Sequence, residues 1–532
     1  MEVKESSGVT RLSGHFAALL LIFAAAILLR CHQLGLEGFW VDEVFSITGA
    51  RINLGTLLTH LNLDVHPPFF HVALKAWMAL GFHGEAGLRL LSVSCGVVSL
   101  FFIYRFGELL YGRKAGITAA VILAFSAYHV RYSQELRDYE MLSLFSLMSF
   151  YFFEKASRNP AIRNYLGYFL STCILVYTHT FGLLTILAEN LFFMTAFVFF
   201  HRTWARPSLR AWAAVQFVLF ISVLPWLWTI AQQSAFLTND QWLPAPKITS
   251  LVTVMKYYAG SWPLLLLAAA LFAYAFYSKP KQAEAAPWEG DAGASIWPVR
   301  NHTMLAIWLL AGLLIPFIAS FIRSPIFLAR RMIFISIPFY LLLGWAFSVL
   351  PARKSRSAFV ALYFIFSFFS MHAFYQRPST EQWREAAAFV DQRAEAADLL
   401  LFHNAFPQIG FDFYSRRPEL ERRGFPEPED SEVITEYTHA TGAPQRKISQ
   451  VEAMKNGTGR IWKIIALEGN TSLAAEKIHL LEPILEGRKR VWLIHSFKKD
   501  PQDVIFKKIS EKFRIVTKQQ FRGIDIYLFE RV

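Results

Sequence analysis

The sequence predicts a polytopic α-helical membrane domain followed by a soluble α/β domain, and three observations carry that prediction. Apolar runs near the length of a membrane span recur through the first 376 positions, and 54% of the 532 residues are hydrophobic, 50 of them Phe. Basic residues gather in alternate connections between those runs. From about Arg377 the composition becomes that of a soluble chain, which divides the protein into a membrane domain over 1–376 and a second domain over 377–532. The pI near 9.5 then reflects basic loops on one membrane face and gives no reason to expect a nucleic-acid partner. The three cysteines lie in apolar segments at no metal-binding spacing, so neither a disulfide framework nor a cysteine zinc site is indicated.

The first run, His15 to Arg30, has a charged approach but no small-residue cleavage site after Leu29-Arg30, and it is expected to be a retained helix. Further spans are expected over Leu88–Leu110, Ala115–Val130, Tyr139–Phe153, Leu166–Thr180, Phe181–Phe200, Ala211–Ile230, Leu251–Tyr277, Thr303–Ile322, Phe327–Leu350 and Ala358–Phe374, about eleven helices in all. The segment Pro67–Gly81 opens with two prolines, is short and carries Lys75, which suits a helix lying at the interface rather than a span. With that segment not spanning, the connections bearing Arg113 and Lys114, then Lys155, Arg158 and Arg163, then Arg202, Arg206 and Arg210, then Lys279, Lys281 and Arg300, then Arg353, Lys354 and Arg356 all fall on one side. The positive-inside rule makes that side the cytoplasm and places the C-terminal domain outside.

In the C-terminal domain, Thr380–Ala394 reads as an amphipathic helix and Asp398–Phe402 as a buried strand. Arg460–Leu467 and Arg490–Ile494 read as further strands, and Phe513–Thr517 with Ile524–Phe529 as a hairpin turning at Arg522-Gly523.

Three short polar signals then share the outer face. Gly38-Phe39-Trp40-Val41-Asp42-Glu43 sets two adjacent carboxylates among aromatics where the first helix leaves the bilayer, a costly place for an ion unless it is solvated or paired. On a helix Asp42 and Glu43 point about 100° apart, so they need not share a role. The second signal is Asp64-Val65-His66-Pro67-Pro68, and the third is Tyr132-Ser133-Gln134-Glu135-Leu136-Arg137-Asp138-Tyr139. Glu135 and Tyr139 at i and i+4 would line one face of a sugar pocket, although Glu135 has the same spacing to Arg131 and an ion pair there is the plainer reading. Arg323, Arg330 and Arg331 lie beside Pro325 on the face that should lack arginines, which calls for an anion such as a lipid phosphate. His179 reads as an interfacial polar residue.

Together the three signals resemble the GT-C superfamily of integral-membrane glycosyltransferases, closest to the bacterial group allied to protein O-mannosyltransferases and to lipid A aminoarabinose and galacturonic acid transferases. The resemblance covers roughly the first 150 residues well, and the later spans match in hydropathy and in the Arg330-Arg331 segment. It implies a catalytic carboxylate in the first outer loop, at Asp42 or Glu43, and a polyprenyl-phosphate sugar as donor. It also implies an acceptor lipid, glycan or protein met outside a bacterial inner membrane. His66, Glu135, Arg137, Tyr139, Arg330 and Arg331 become the expected substrate-binding residues. Some relatives hold zinc or another divalent ion near the His-Pro-Pro position, which makes Asp64 and His66 candidate ligands.

The chemistry stands without the family. Moving a sugar from a lipid phosphate to a hydroxyl or amine needs a base for the acceptor proton and cationic groups for the departing phosphate. Asp42 suits the first task, and the guanidinium fork of Arg330 or Arg331 suits the second. A transporter or flippase of lipid-linked saccharides is the main alternative, but it would be expected to show repeats with helices interrupted at the midplane, and the acids here sit at one face.

Overall fold

The computed structural model describes residues 6–59, 66–200, 209–236, 244–278, 296–322, 325–351, 353–376, 380–403, 407–425, 478–496 and 503–532. Asp64, Arg323 and the expected strand Arg460–Leu467 lie outside the described residues.

Among the described residues, six helices are long and apolar enough to cross a bilayer: Gly84–Tyr111, Gly182–Phe199, Leu209–Gln232, Pro298–Ala319, Ala329–Ser348 and Arg353–Tyr375. A seventh span forms if Ile248–Ala259 and Trp262–Tyr277, bent by 91°, count as one. The bend has a local cause: Gly260 takes φ +100°, and Ser261 caps the following helix by accepting from Leu264 N–H, with Pro263 in its first turn. The other expected spans are helical but shorter or more charged. Arg113–Ala124 has 12 residues and Ile162–Thr178 has 17, while Tyr139–Arg158 carries Glu140, Glu154, Lys155 and Arg158. Of the about eleven spans expected, six or seven among the described residues thus have full span character by length and composition, in a multi-pass bundle.

Phe69–Ala79 has 11 residues, about 16 Å of helix, roughly half a hydrocarbon core. It packs under the helix Val41–Arg51 through Phe70 and Leu74 against Val44 and Ile47. Lys75, read from sequence as an interfacial charge, instead donates to the carbonyls of Ala50 and Ile52 at 3.2 and 2.9 Å, where the partial negative charge of that helix end lies. Arg300, expected in a basic loop, is buried inside Ile296–Ala319 and pairs in both fork positions with the buried Glu154, at 2.8 and 2.7 Å.

The C-terminal domain holds a five-stranded sheet in the order β2-β1-β3-β5-β4. Its strands are β1 Leu399–His403, β2 Glu421–Phe425, β3 Arg490–Ser496, β4 Phe513–Phe521 and β5 Ile524–Arg531. β1 is parallel to β2 and β3, and the β4–β5 hairpin joins β3 antiparallel. Alternation sends Leu400, Phe402, Trp492, Ile494, Ile526 and Leu528 to one face and Leu399, Leu401, Val491, Leu493 and Phe529 to the other. The first face also buries Trp383 and Phe411 and, from the membrane domain, Val41. The residue next to Asp42 is therefore part of the core of the C-terminal domain.

Candidate active site

Trp40 stands at the N-terminus of the helix Val41–Arg51, and Asp42 and Glu43 occupy its first turn, where unpaired backbone N–H groups favour anions. The 100° between them separates their surroundings. Glu43 is fully buried: its carboxylate takes both fork positions of Arg89 at 2.8 and 2.7 Å, the Leu136 N–H at 2.7 Å and the Trp40 N–H at 3.3 Å. Arg89 spends its remaining donors on the carbonyls of Leu34, Glu37 and Gly38. Glu43 is thus held as the anchor of the first loop. Asp42 is 22% exposed and faces Arg330 at 3.6 Å.

Arg330 arrives from the 3-10 turn Ala329–Ile335, which precedes the helix Ser336–Ser348 and is tied down by hydrogen bonds from Tyr128 Oη to the Ala329 carbonyl and from Tyr258 Oη to the Met332 carbonyl. Its guanidinium lies over the Trp40 ring at 5.6 Å and the Tyr139 ring at 6.0 Å. Tyr139 is buried and has Arg137 over it as well, at 5.8 Å, so it is a platform between two guanidiniums. Arg137 donates to the Asp42 carbonyl and to Ser46 Oγ, each at 3.0 Å, and meets His66 Nε2 at 3.4 Å. Arg331 follows Arg330 in the same turn and is half-buried.

Glu135 and Tyr139 do not share a helical face, because residues 134–138 form the bend between the helices Ala127–Ser133 and Tyr139–Arg158. The Arg131 pairing is present instead, at 3.3 Å to Oε1, while the buried Oε2 of Glu135 has no hydrogen-bond partner. Burial pushes the Glu135 carboxyl above the ordinary carboxylate range, against the pull of Arg131.

His66, Asp138 and His179 converge, with one ligand-type atom from each lying within 4.8 Å of the others. His179, read from sequence as merely interfacial, belongs to this group. Both carboxylate oxygens of Asp138 and Nε2 of His179 are buried without a hydrogen-bond partner, which fits a cation held among them, and two imidazoles with a carboxylate form a ligand set of the catalytic zinc type. Burial opposes the charge on Asp138, but His179, His66 and Arg137 outweigh it and hold its carboxyl below the usual range. One contact bears the other way: the Phe181 N–H donates to His179 Nδ1 at 3.0 Å, which leaves the ring proton on Nε2.

Sequence reasoning passed over Arg89, buried at the start of a long apolar helix. A lone arginine in such a run was the available signal. It also passed over the buried His129, which meets Glu140 at 3.0 Å and Ser336 at 2.7 Å beneath the site.

Residues 65–228 match the family model for dolichyl-phosphate-mannose-protein mannosyltransferases. No curated protein sequence matches the chain. Among solved structures the chain is similar to ArnT from Cupriavidus metallidurans in its apo state, with 12% identity, 96% of this chain and 97% of that chain covered, and a TM-score of 0.60. It is likewise similar to the same protein bound to undecaprenyl phosphate, with 12% identity, the same coverage and a TM-score of 0.58. Matched along nearly its whole length, this chain has the fold of the ArnT structures, and its residues 65–228 carry the mannosyltransferase family match within that fold.

Proposed function

We propose that the protein moves a sugar from a polyprenyl-phosphate-linked donor to an acceptor at the extracytoplasmic face of a bacterial inner membrane, with residues 377–532 on that face. The observation that carries this reading is the Asp42–Arg330 pair, a base and a phosphate-seeking cation 3.6 Å apart and each about a quarter exposed. Undecaprenyl phosphate bound to the structurally similar ArnT supports a lipid-phosphate donor, and the alternation of basic loops supports the orientation.

The geometry orders the steps. A donor phosphate offers Arg330 a bidentate partner stronger than the long contact to Asp42, so donor binding draws the guanidinium away and frees the carboxylate. The acceptor O–H or N–H then attacks the anomeric carbon. Its new bond to the sugar forms as the bond from the sugar to the phosphate oxygen breaks, the electron pair stays on the phosphate beside Arg330, and the proton passes to Asp42. Tyr139 and Trp40 flank Arg330 with ring faces that hold its charge beside the phosphate, and Arg331 adds positive charge. Glu43, Arg89 and Arg137 act by positioning the loop. A divalent cation held by His66, Asp138 and His179 would supply a fixed positive charge for the phosphate. The Phe181 N–H bond to His179 favours a second reading, in which Nε2 keeps its proton and faces Asp138 without a metal. Metal content of the purified protein, with and without Asp138→Asn, separates the two.

The test uses purified protein and a labelled polyprenyl-phosphate sugar. Asp42→Asn should retain donor binding while lowering sugar release about 10²- to 10⁴-fold. Arg330→Ala should weaken donor use more than Arg330→Lys. Wild-type turnover by Asp42→Asn would remove the reading.

A further inference from the structure

A cavity of about 340 Å³ lies between the segment Gln33–Gly38, the helix end and bend carrying Arg131 and Glu135, and the two stretches Phe374–Gln376 and Thr380–Glu385. Its size falls at the small end of ligand pockets, about 300–1,000 Å³, and gives room for one or two sugar rings. Glu381 ties it to the loop of Asp42. Glu381 lines the cavity, accepts from the Trp383 indole N–H at 2.6 Å and also takes the backbone N–H of Val41, the residue before Asp42.

The wall is rich in acceptors and poor in free cations. Glu37, Glu135, Glu381 and Glu385 all line it, whereas its two guanidiniums are already engaged, Arg89 by Glu43 and Arg131 by Glu135. A phosphate is disfavoured here, which separates this space from the Arg330 side of Asp42. Glu135 supplies a second, independent sign of a ligand. It is only 5% exposed, it lines the cavity, and its Oε2 has no partner, a costly state for a buried carboxylate oxygen unless something donates to it. Phe374 and Tyr375 add ring surface, and Thr380 and Gln376 add polar groups. Carboxylates and amides for hydroxyls, with aromatic surface for a ring face, are the chemistry that receives a saccharide.

We infer that this cavity seats the acceptor and that the acceptor is a saccharide, received through its hydroxyls by Glu135 and Glu381 with one further hydroxyl reaching Asp42. The inference rests on the transferase reading for its catalytic meaning, but the binding site stands separately.

The experiment uses the full chain in lipid nanodiscs with four methyl glycosides, those of glucose, galactose, mannose and N-acetylglucosamine. Binding is read by saturation-transfer NMR without donor, and sugar transfer is read with a labelled polyprenyl-phosphate donor. A short peptide and phospholipid vesicles serve as rival acceptors. At least one glycoside should bind and accept sugar. Glu135→Gln and Glu381→Gln should each weaken its binding and raise its KM about tenfold or more. Glu385→Gln, at a side chain 38% exposed, should act in the same direction with a smaller effect, and it keeps the test valid if a more buried variant fails to fold. No binding by any of the four, binding indifferent to all three variants, or transfer to peptide or lipid alone would overturn the inference. Donor cleavage without glycoside binding sinks the cavity and spares the transferase reading, whereas glycoside binding without donor cleavage does the reverse.

Discussion

Adjacent carboxylates with opposite fates make Asp42 and Glu43 the sharpest contrast at the residue scale. Glu43→Gln leaves the buried Arg89 uncompensated, and breaking such a pair costs about 3–5 kcal/mol. Its melting temperature in detergent should fall well below that of Asp42→Asn, which removes only a long, partly exposed contact. Glu381 gives a pH signature. Burial, with the nearby Asp42 charge adding to it, pushes its carboxyl from 4.5 up to about 7, while the Trp383 and Val41 donors pull the other way. A carboxyl raised in the folded state contributes stability in full below its unfolded value and loses it as pH rises through the folded one. The wild-type melting temperature should therefore fall between pH 4.5 and about 7 more than that of Glu381→Gln. Asp42, Arg330, His66, Arg137 and Asp138 stand out in the sequence because polar residues at the ends of apolar runs are conspicuous, but which of them face one another does not. Glu381 and His179 do not stand out, since their surroundings are brought close only by folding.

At the scale of elements, the first loop is built by two short helices pressed together. A side chain at Gly49 would place its first carbon 2.7 Å from the His71 ring, so close approach, and not conformation, requires glycine there. Gly49→Val should cost about 1–3 kcal/mol and lower transfer by tilting Asp42, with Gly49→Ala intermediate in a thermal melt and a transfer assay. That Phe69–Ala79 is too short to span was legible from its prolines and its length. Its lysine was misread because a charge next to a bilayer and a charge capping a helix look the same in a sequence. Among the strands, β1 announced itself as Leu-Leu-Leu-Phe, while β2 was missed because Glu421-Arg422-Arg423 carries the charge typical of a sheet edge. The breaks at Phe125-Ser126 and Gly260-Ser261 were not legible for a related reason: the apolar runs on either side read as continuous when only hydropathy is followed.

At the scale of the whole molecule, the C-terminal domain is fastened to the loop that carries Asp42. Tyr414 Oη receives the Phe39 N–H at 2.6 Å and donates to Glu85 at 3.1 Å, Phe413 packs edge-on against Phe39 at 5.7 Å, and Arg384 reaches the Leu36 carbonyl at 2.7 Å. Tyr414→Phe keeps the ring and strands the Phe39 N–H, so it should cost about 1–3 kcal/mol and reduce transfer while donor binding persists, as a paired melt and turnover measurement would show. The division into a bundle and a sheet domain was legible from composition, but their docking was not, because it joins residues that lie 375 positions apart.

That separation sets the order in which the protein becomes competent. The segment bearing Asp42 leaves the ribosome well before the sheet domain, yet Val41 is buried against Trp383, Phe411 and Trp492, all synthesised much later. A chain stopped short of Trp383 can fill the bilayer with most of its spans and still lack the surface against which Asp42 is set. Under the proposed reaction, such partial products in the membrane would be slow to squander lipid-linked sugar on water.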